Sequence, residues 1–158
     1  GLPRSLRGAR RSAARRGSAT SSAPLRGLVV LVVEDHADTR ELLRRTLEHA
    51  GARTVLAEDG RAALDLLEHA HERPHIILCD LLMPQLDGLA LARHLEADLR
   101  WRKIPVLAVT ALGAAADYIN TWAHGFAGHL VKPVNPDTLI RVVRDLTRKA
   151  GRRQKRAP

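Results

Sequence analysis

Residues 29–33 read Val-Val-Leu-Val-Val, and the next two residues are Glu34 and Asp35. Five successive apolar residues are too few for a typical helix, and they lack the polar alternation of a half-exposed strand. Four of the five are β-branched valines, which favour strands. Unbroken apolar runs of this kind are typical of strands buried on both faces of a parallel sheet. The run therefore predicts a central strand that ends in two carboxylates.

A helix is predicted directly after this strand. Asp38 and Glu41 have the spacing of a capping box, in which an Asp caps the helix and a Glu three residues later reaches back to it. Gly51 marks the end of the helix. The apolar residues at helical spacing are Leu42, Leu43, Leu47 and Ala50.

The alternation of strand and helix repeats along the chain. Further strands are predicted at 54–57, 76–79, 106–109 and 129–131. Further helices are predicted at 61–71, after Gly88, at 114–123, and from Pro136 with Asn135 as its cap. Five strands alternating with five helices predict an α/β domain, built as an open, doubly wound parallel sheet with helices on both faces.

The positive charge lies at the two ends of the chain. The 158 residues include 26 Lys and Arg against 17 Asp and Glu. Residues 1–27 contain seven arginines and no acid, and 148–158 contain six basic residues and no acid, whereas 28–147 holds 13 basic and all 17 acidic residues. We predict a disordered basic linker or tag over 1–27, one domain over 28–147 and a basic C-terminal tail over 148–158. An organelle transit peptide has a composition similar to that of 1–27.

The composition excludes several classes of protein. Cys79 is the only cysteine, so an intramolecular disulfide and a Cys-ligated zinc or iron–sulfur site are excluded. No apolar run approaches the roughly 20 residues that span a membrane, which predicts a cytoplasmic protein without a membrane partner. The eight histidines lack the spacing of metal ligands on a shared helix face. The turn after the first strand lacks the glycines of a dinucleotide-binding site.

Polar residues follow four of the five predicted strands. They are Glu34 and Asp35 after the first, Asp80 after the third, Thr110 after the fourth, and Lys132 and Pro133 after the fifth. Ligands of such sheets bind outside the carboxyl ends of the strands. Three carboxylates that meet there repel one another unless a cation compensates them, and oxygen ligands suit Mg²⁺. The alternative is that the acids are solvated residues at the entry of loops.

Four segments together resemble the receiver domain of response regulators in two-component signalling, of the chemotaxis-regulator type. The segments are Leu-Val-Val-Glu-Asp at 31–35, Asp-Leu-Leu-Met-Pro-Gln-Leu-Asp-Gly at 80–88, Thr110-Ala111 and Lys132-Pro133. The resemblance covers 28–147. It implies a flavodoxin-like sheet with strand order 2-1-3-4-5 and a cis peptide bond between Lys132 and Pro133.

The resemblance also implies a phosphorylation site. Asp80 would accept a phosphoryl group from a phosphohistidine on a histidine kinase or a histidine phosphotransfer protein. Asp35, Asp80 and the Leu82 carbonyl would bind Mg²⁺ directly, and Glu34 would hold the ion through water. Such a domain is a signalling domain and not an enzyme, because it catalyses only its own phosphotransfer and autodephosphorylation.

In this family a lysine, a threonine and a backbone amide contact the phosphoryl oxygens, and these positions are Lys132, Thr110 and Ala111. Thr110 would also act as a switch together with an aromatic residue three positions before Lys132. This sequence has His129 there instead of the usual Tyr or Phe. Because imidazole titrates near neutral pH, we expect the switch to depend on pH.

Several functional alternatives remain open at the level of sequence. The domain is either a stand-alone receiver or the receiver piece of a hybrid sensor kinase, and it is a monomer or a phosphorylation-dependent dimer; its downstream protein is not identified. A phosphorylation-independent interaction module and a non-specific nucleic-acid binder that uses the tails are the other classes. Specific DNA binding is not expected, because the 11 residues after Thr147 are too few for a helix-turn-helix. A phosphatase of the haloacid-dehalogenase type would need an Asp in place of Leu82.

Overall fold

The computed structural model describes residues 23–83, 85–111 and 125–157. Five parallel strands form one sheet in the order β2-β1-β3-β4-β5, which confirms the predicted fold and strand order. The strands are β1 (Val29–Val33), β2 (Arg53–Ala57), β3 (Ile76–Cys79), β4 (Val106–Thr110) and β5 (Gly128–Val131). The described helices, numbered here in chain order, are α1 (Ala37–His49), α2 (Gly60–His69), α3 (Gly88–Ala97) and α4 (Pro136–Arg156). The helix predicted at 114–123 lies outside the described residues.

Two hydrophobic layers cover the two faces of the sheet. Successive side chains of β1 point to opposite faces, so Val30 and Val32 pack with residues of α1 and α4, whereas Leu31 and Val33 pack with residues of α2 and α3. All five residues of β1 are buried. The unbroken apolar run is thus explained by a strand that has helices on both sides.

Side-chain caps begin three of the four described helices. Asp59, Asp87 and Asn135 accept hydrogen bonds from backbone amides in the first turns of α2, α3 and α4, at 2.8, 2.8 and 3.1 Å. The cap of the last helix is therefore confirmed. The Asp59 cap starts α2 at Gly60, and this helix ends at His69 and not at 71 as predicted.

The predicted capping box of the first helix is wrong. Helix α1 begins at Ala37, one residue before the predicted cap, and its N-cap residue His36 makes no side-chain cap hydrogen bond. Asp38 lies within the first turn, where a negative charge interacts favourably with the helix dipole. Glu41 does not reach back to the cap, because its carboxylate pairs with Arg44 and Arg45.

The ordered structure extends beyond 28–147 at both ends. Residues 23–27 form a turn in which Leu25 is completely buried, and the Leu25 amide donates to the Ala50 carbonyl at 2.9 Å. These five residues therefore differ from the disordered segment predicted over 1–27. Helix α4 continues through Arg156, so 148–156 is helical where a separate tail was predicted. Arg and Lys are good helix formers, which explains why the basic composition does not end the helix.

Candidate functional site

Backbone hydrogen bonds hold the polar strand-end residues at one edge of the sheet. The Asp80 amide donates to the Val33 carbonyl at 3.0 Å, and the Lys132 amide donates to the Thr110 carbonyl at 2.9 Å. The peptide bond between Lys132 and Pro133 is cis, as the resemblance implies. The ends of β1, β3, β4 and β5 are thereby aligned, as expected for parallel strands whose carboxyl ends share an edge.

The ammonium of Lys132 connects two of the acidic residues. Its Nζ atom lies 2.9 Å from Glu34 Oε2 and 3.0 Å from Asp80 Oδ2. Burial acts to lower the pKa of Lys132, but the hydrogen bonds and charges of Glu34 and Asp80 outweigh it, so the pKa lies above its usual value. The lysine is therefore a cation at neutral pH, and it lies between two carboxylates.

Glu34 is the most deeply buried of the three acids, with 1% of its surface exposed. Burial raises its pKa and the charge of Asp80 acts in the same direction, against the hydrogen bond from Lys132. Its Oε1 atom accepts a hydrogen bond from the His36 amide at 3.3 Å, and its carbonyl accepts one from Arg40 Nη1 at 2.8 Å. Glu34 is thus fixed in place at both its backbone and its side chain.

The donor atoms of the site suit a hard divalent cation. Glu34, Asp35 and His36 each place one ligand atom within 4.8 Å of the others. Among the described residues, the site including Asp80 has three carboxylates and one ammonium, that of Lys132. A divalent cation would balance the remaining negative charge, and carboxylate oxygens are the ligands that Mg²⁺ prefers. The residues therefore fit the metal that the resemblance implies.

Local contacts fix the orientation of Asp80. Its Oδ1 atom accepts a hydrogen bond from the Leu82 amide at 3.1 Å, so both carboxylate oxygens have a partner. Behind it, Gly88 at the start of α3 packs so closely that a Cβ atom there would lie 2.2 Å from the Asp80 carbonyl oxygen and 2.9 Å from Cys79 Sγ. Burial raises the pKa of the Cys79 thiol, which therefore stays neutral beside the acids.

Thr110 and Ala111 lie at the end of β4, as predicted. Thr110 is completely buried, and among the described residues its hydroxyl has no hydrogen-bond partner. A buried hydroxyl without a partner costs about 1–3 kcal/mol relative to a paired one, so it can gain from a new acceptor. Ala111 is exposed. The pair thus combines a hydroxyl that lacks an acceptor within the described part of the chain with an exposed residue next to it.

His129 makes none of the hydrogen bonds described above for the charged cluster. It is exposed on β5, where it is paired in register with Ala108 of β4. His36 and Gly88 also contribute to the site, although no role was predicted for either residue. The sequence signal for His36 was its position directly after the acidic pair. The Asp-Gly pair at 87–88 was the signal for Gly88, because glycine at a helix start allows close backbone approach.

Comparison with known proteins agrees with this geometry. The family model described as response regulator receiver domain matches residues 30–144. The chain is 36% identical to the response regulator Rre1 of Synechocystis sp. over 118 residues, which are 74% of this chain and 50% of that protein. It spans about half the length of several curated relatives that it matches.

Two solved structures are similar over most of the chain. The receiver domain of a signal transduction histidine kinase from Syntrophus aciditrophicus is 32% identical with a TM-score of 0.71, over 83% of this chain and 95% of that one. The receiver domain of a sensor histidine kinase from Pseudomonas aeruginosa is 30% identical with a TM-score of 0.69, over 77% of this chain and 98% of that one, and it has a magnesium ion coordinated in the active site cleft. With its strand order, its acidic strand ends and these matches, the chain belongs to the response regulator receiver domain family of two-component signalling.

Proposed function

We propose that Asp80 accepts a phosphoryl group from a phosphohistidine in a reaction that depends on Mg²⁺, and that this modification switches a protein-interaction surface. The observation that carries the proposal is the contact of Lys132 Nζ with Glu34 and Asp80 at 2.9 and 3.0 Å. The contact supports the proposal, because a carboxylate that accepts a phosphoryl group needs a nearby cation to balance the added charge. Receiver domains are signalling domains that interact with histidine kinases or phosphotransfer proteins.

In the proposed reaction an oxygen of the Asp80 carboxylate attacks phosphorus, and the bond from phosphorus to the histidine nitrogen breaks with its electron pair on nitrogen. An acyl phosphate forms on Asp80. The transfer needs alignment and cancellation of charge rather than a base. Hydrogen bonds from Leu82 N and Lys132 Nζ hold the carboxylate in position before the transfer.

The oxygen ligands for the metal are proposed to be Asp35, Asp80 and the Leu82 carbonyl, with Glu34 acting through water. When it is bound, Mg²⁺ neutralises charge on the phosphoryl oxygens. Lys132 supplies a second positive charge to the same oxygens, because its ammonium already lies at Asp80. Phosphorylation therefore adds charge to a site whose cations can compensate it.

The switch is proposed to use the hydroxyl of Thr110, which has no partner among the described residues. A phosphoryl oxygen on Asp80 would offer this hydroxyl an acceptor, and the Ala111 amide would donate to a second oxygen. Charge-assisted hydrogen bonds of this kind are stronger than neutral ones. The movement of Thr110 would then pull on the end of β4. The His129 side chain is exposed. Its role in the switch stays a prediction.

The partners that follow from this proposal are a histidine kinase or a histidine phosphotransfer protein as the donor, and a downstream protein as the receiver of the signal. The domain acts alone or as part of a hybrid sensor kinase, and as a monomer or a phosphorylation-dependent dimer. Its cytoplasmic location and the self-catalysed loss of its phosphoryl group are predictions of the same kind. None of the described helices has both the length and the hydropathy needed to cross a membrane.

Intact-mass measurement with a small phosphodonor tests the proposal. The parent protein with acetyl phosphate and Mg²⁺ should gain the mass of one phosphoryl group, whereas Asp80→Asn and a sample with excess chelator should gain none. Asp65→Asn is the matched control, because Asp65 is an exposed acid of α2 and should leave the uptake unchanged. Uptake by Asp80→Asn would refute the assigned acceptor. A folded parent protein that takes up no phosphoryl group would instead favour the phosphorylation-independent interaction module.

A further inference from the structure

A concave surface lies at the end of the sheet opposite to Asp80. The segments at the amino ends of β4 and β5 and the last turns of α4 enclose a cavity of about 630 Å³. A smaller cavity of about 220 Å³ adjoins it, and the two share residues 103–105 and part of α4. We call the two together the basic groove; it is bounded by residues 73–75, 102–106 and 125–127 and by α4 from Leu146 onward.

Helix α4 gives one continuous side to this groove. The residues that line it recur at helical spacing, so one face of the last three turns is directed into the groove. Toward the larger cavity these residues are Leu146, Lys149, Ala150, Arg153, Gln154 and Ala157, and Thr147 and Gly151 line only the smaller cavity. Arg148 and Arg152 do not line either cavity. Helix α4 thus carries two sets of cations, one that lines the groove and one that lies outside it.

The charge of the groove is positive. Arg102, Lys103, Lys149 and Arg153 line the larger cavity, and Arg73 lines the smaller one. No acid occurs among the described residues that line either cavity, although the carboxylate of Glu96 approaches the rim at Gly125. Cations that are this close together without lining acids repel one another, and an anionic occupant would relieve the repulsion.

The groove also contains apolar surface between its cations. Ile104 is 7% exposed and belongs to the hydrophobic core, and Phe126 packs against the same core. Leu146 lines the groove from α4. A site for phosphates alone needs no apolar floor, because phosphate recognition relies on charge and hydrogen bonds. The combination instead matches an occupant that carries both carboxylates and apolar side chains.

We propose that the basic groove binds an acidic protein segment whose apolar side chains contact Ile104, Phe126 and Leu146. Two adjoining cavities make an elongated site, which suits an extended chain better than a compact anion. Double-stranded nucleic acid would use the cations but would leave the apolar floor without a partner. The groove lies at the amino ends of the strands, so this proposal does not depend on phosphorylation of Asp80.

Fluorescence anisotropy with labelled probes tests the proposal on the full chain. The first probe is a short peptide that alternates Glu and Leu, the second alternates Glu and Ser, and the third is a thymidine oligonucleotide. We expect the Glu-Leu peptide to bind most tightly. The replacement of both Lys149 and Arg153 by Ala should weaken its binding about fivefold to thirtyfold, since each exposed ion pair contributes at most about 1 kcal/mol.

The matched control is the replacement of both Arg148 and Arg152 by Ala, which removes the same charge from the same helix outside the groove. It should change the affinity less than about twofold. Equal losses in the two double variants would overturn the proposal, because they would show attraction by net charge only. Tighter binding of the oligonucleotide, or equal binding of the two peptides, would overturn it as well.

A third variant separates shape from charge. Ala150→Trp places a large side chain where both cavities meet and leaves the charge unchanged. It should abolish binding of the Glu-Leu peptide while circular dichroism reports a folded protein. Undiminished binding would place the peptide elsewhere and refute the groove. Phosphoryl uptake on Asp80, measured on the same samples, should be the same in all these variants.

Discussion

Lys132 Nζ lies 3.0 Å from Asp80 Oδ2, although the two residues are 52 positions apart in the chain. The contact connects the end of β5 with the end of β3 across the intervening strand β4. Because the same ammonium also contacts Glu34 at the end of β1, one side chain links three of the five strand ends. Charge and tertiary structure are therefore coupled at this edge of the sheet.

Replacing Lys132 by Ala should lower the free energy of unfolding at pH 7. The change leaves Glu34 and Asp80 without their cation, and we expect a loss of about 1–3 kcal/mol, less than for a fully buried pair, because the lysine side chain is 24% exposed. Urea denaturation in the presence of a chelator measures this loss. Lys155→Ala, an exposed change in α4, should cost less than about 0.5 kcal/mol. Similar losses for both variants would contradict the role of Lys132.

Glu34 should make the protein less stable as the pH rises above 4.5. Its pKa is raised in the folded state, so between 4.5 and this raised pKa the folded protein binds more protons than the unfolded chain. The contribution of Glu34 to the free energy of unfolding is therefore most favourable at low pH, and it is lost as the pH rises through the pKa of the folded state. Denaturation curves without metal should show this slope in the parent protein and not in Glu34→Gln.

Glu41 is a control whose effect on stability has the opposite dependence on pH. Hydrogen bonding to Arg44 lowers its pKa to about 2, so its contribution is present above pH 4.5 and is lost as the pH falls toward 2. Glu41→Gln should therefore change the curve only on the acid side. If Glu34→Gln kept the parent slope above pH 4.5, the assigned environment of Glu34 would be wrong.

Gly88→Ala should disturb the proposed phosphorylation site at the backbone of Asp80. The added methyl group would lie 2.2 Å from the Asp80 carbonyl oxygen, so the backbone has to move. Overpacking of this kind costs about 1–3 kcal/mol, and phosphoryl uptake should slow in parallel. Gly151→Ala is the matched control. Apart from its neighbours in the helix, no described residue has an atom within 4 Å of the added carbon, and alanine there should stabilise α4 by about 0.5–1 kcal/mol. Thermal unfolding and phosphorylation kinetics distinguish the two.

Thr110→Val should separate stability from switching. The substitution removes a buried hydroxyl that has no partner among the described residues and keeps the shape of the side chain. Thermal stability should be unchanged or higher by about 1 kcal/mol. Phosphoryl uptake on Asp80 should persist, while the change in NMR shifts along β5 that follows phosphorylation should become smaller. A large loss of stability would reveal a partner for the hydroxyl in the unphosphorylated state.

The sequence was sufficient to predict the sheet and the acidic edge. The apolar runs of β1 and β3 are buried on both faces, so their length and composition clearly indicate central strands. The residues that follow these runs therefore lie at the strand ends. The start of α1 was not predictable in the same way. Asp38 and Glu41 satisfy a local capping pattern, but arginines one helical turn away compete for Glu41. Local patterns do not show which of two partners a charged side chain will choose.

The ends of the domain were harder to predict for a related reason. Leu25 is a single apolar residue among arginines and small residues. It is buried because its segment packs at the end of α1, where its amide bonds to Ala50, and this contact forms only in the tertiary structure. The helical state of 148–156 depends on continuation from α4, which composition alone does not reveal. The contacts of Lys132 with Glu34 and Asp80 were not predicted. The resemblance assigned Lys132 to the phosphoryl oxygens, and no spacing pattern reveals contacts between residues that are 98 and 52 positions apart.

Among the described residues, the site acids and the groove cations lie at opposite ends of the strands. The carboxylates of Glu34, Asp35 and Asp80 produce a negative local field at one end, and the cations of the basic groove produce a positive local field at the other. A charged molecule experiences such a field before it makes contact, and it turns accordingly during its approach. At physiological salt the field decays over about 8 Å, so this orientation happens only in the last step of diffusion. Association rates at the two edges should therefore respond to ionic strength according to the charge of each incoming molecule.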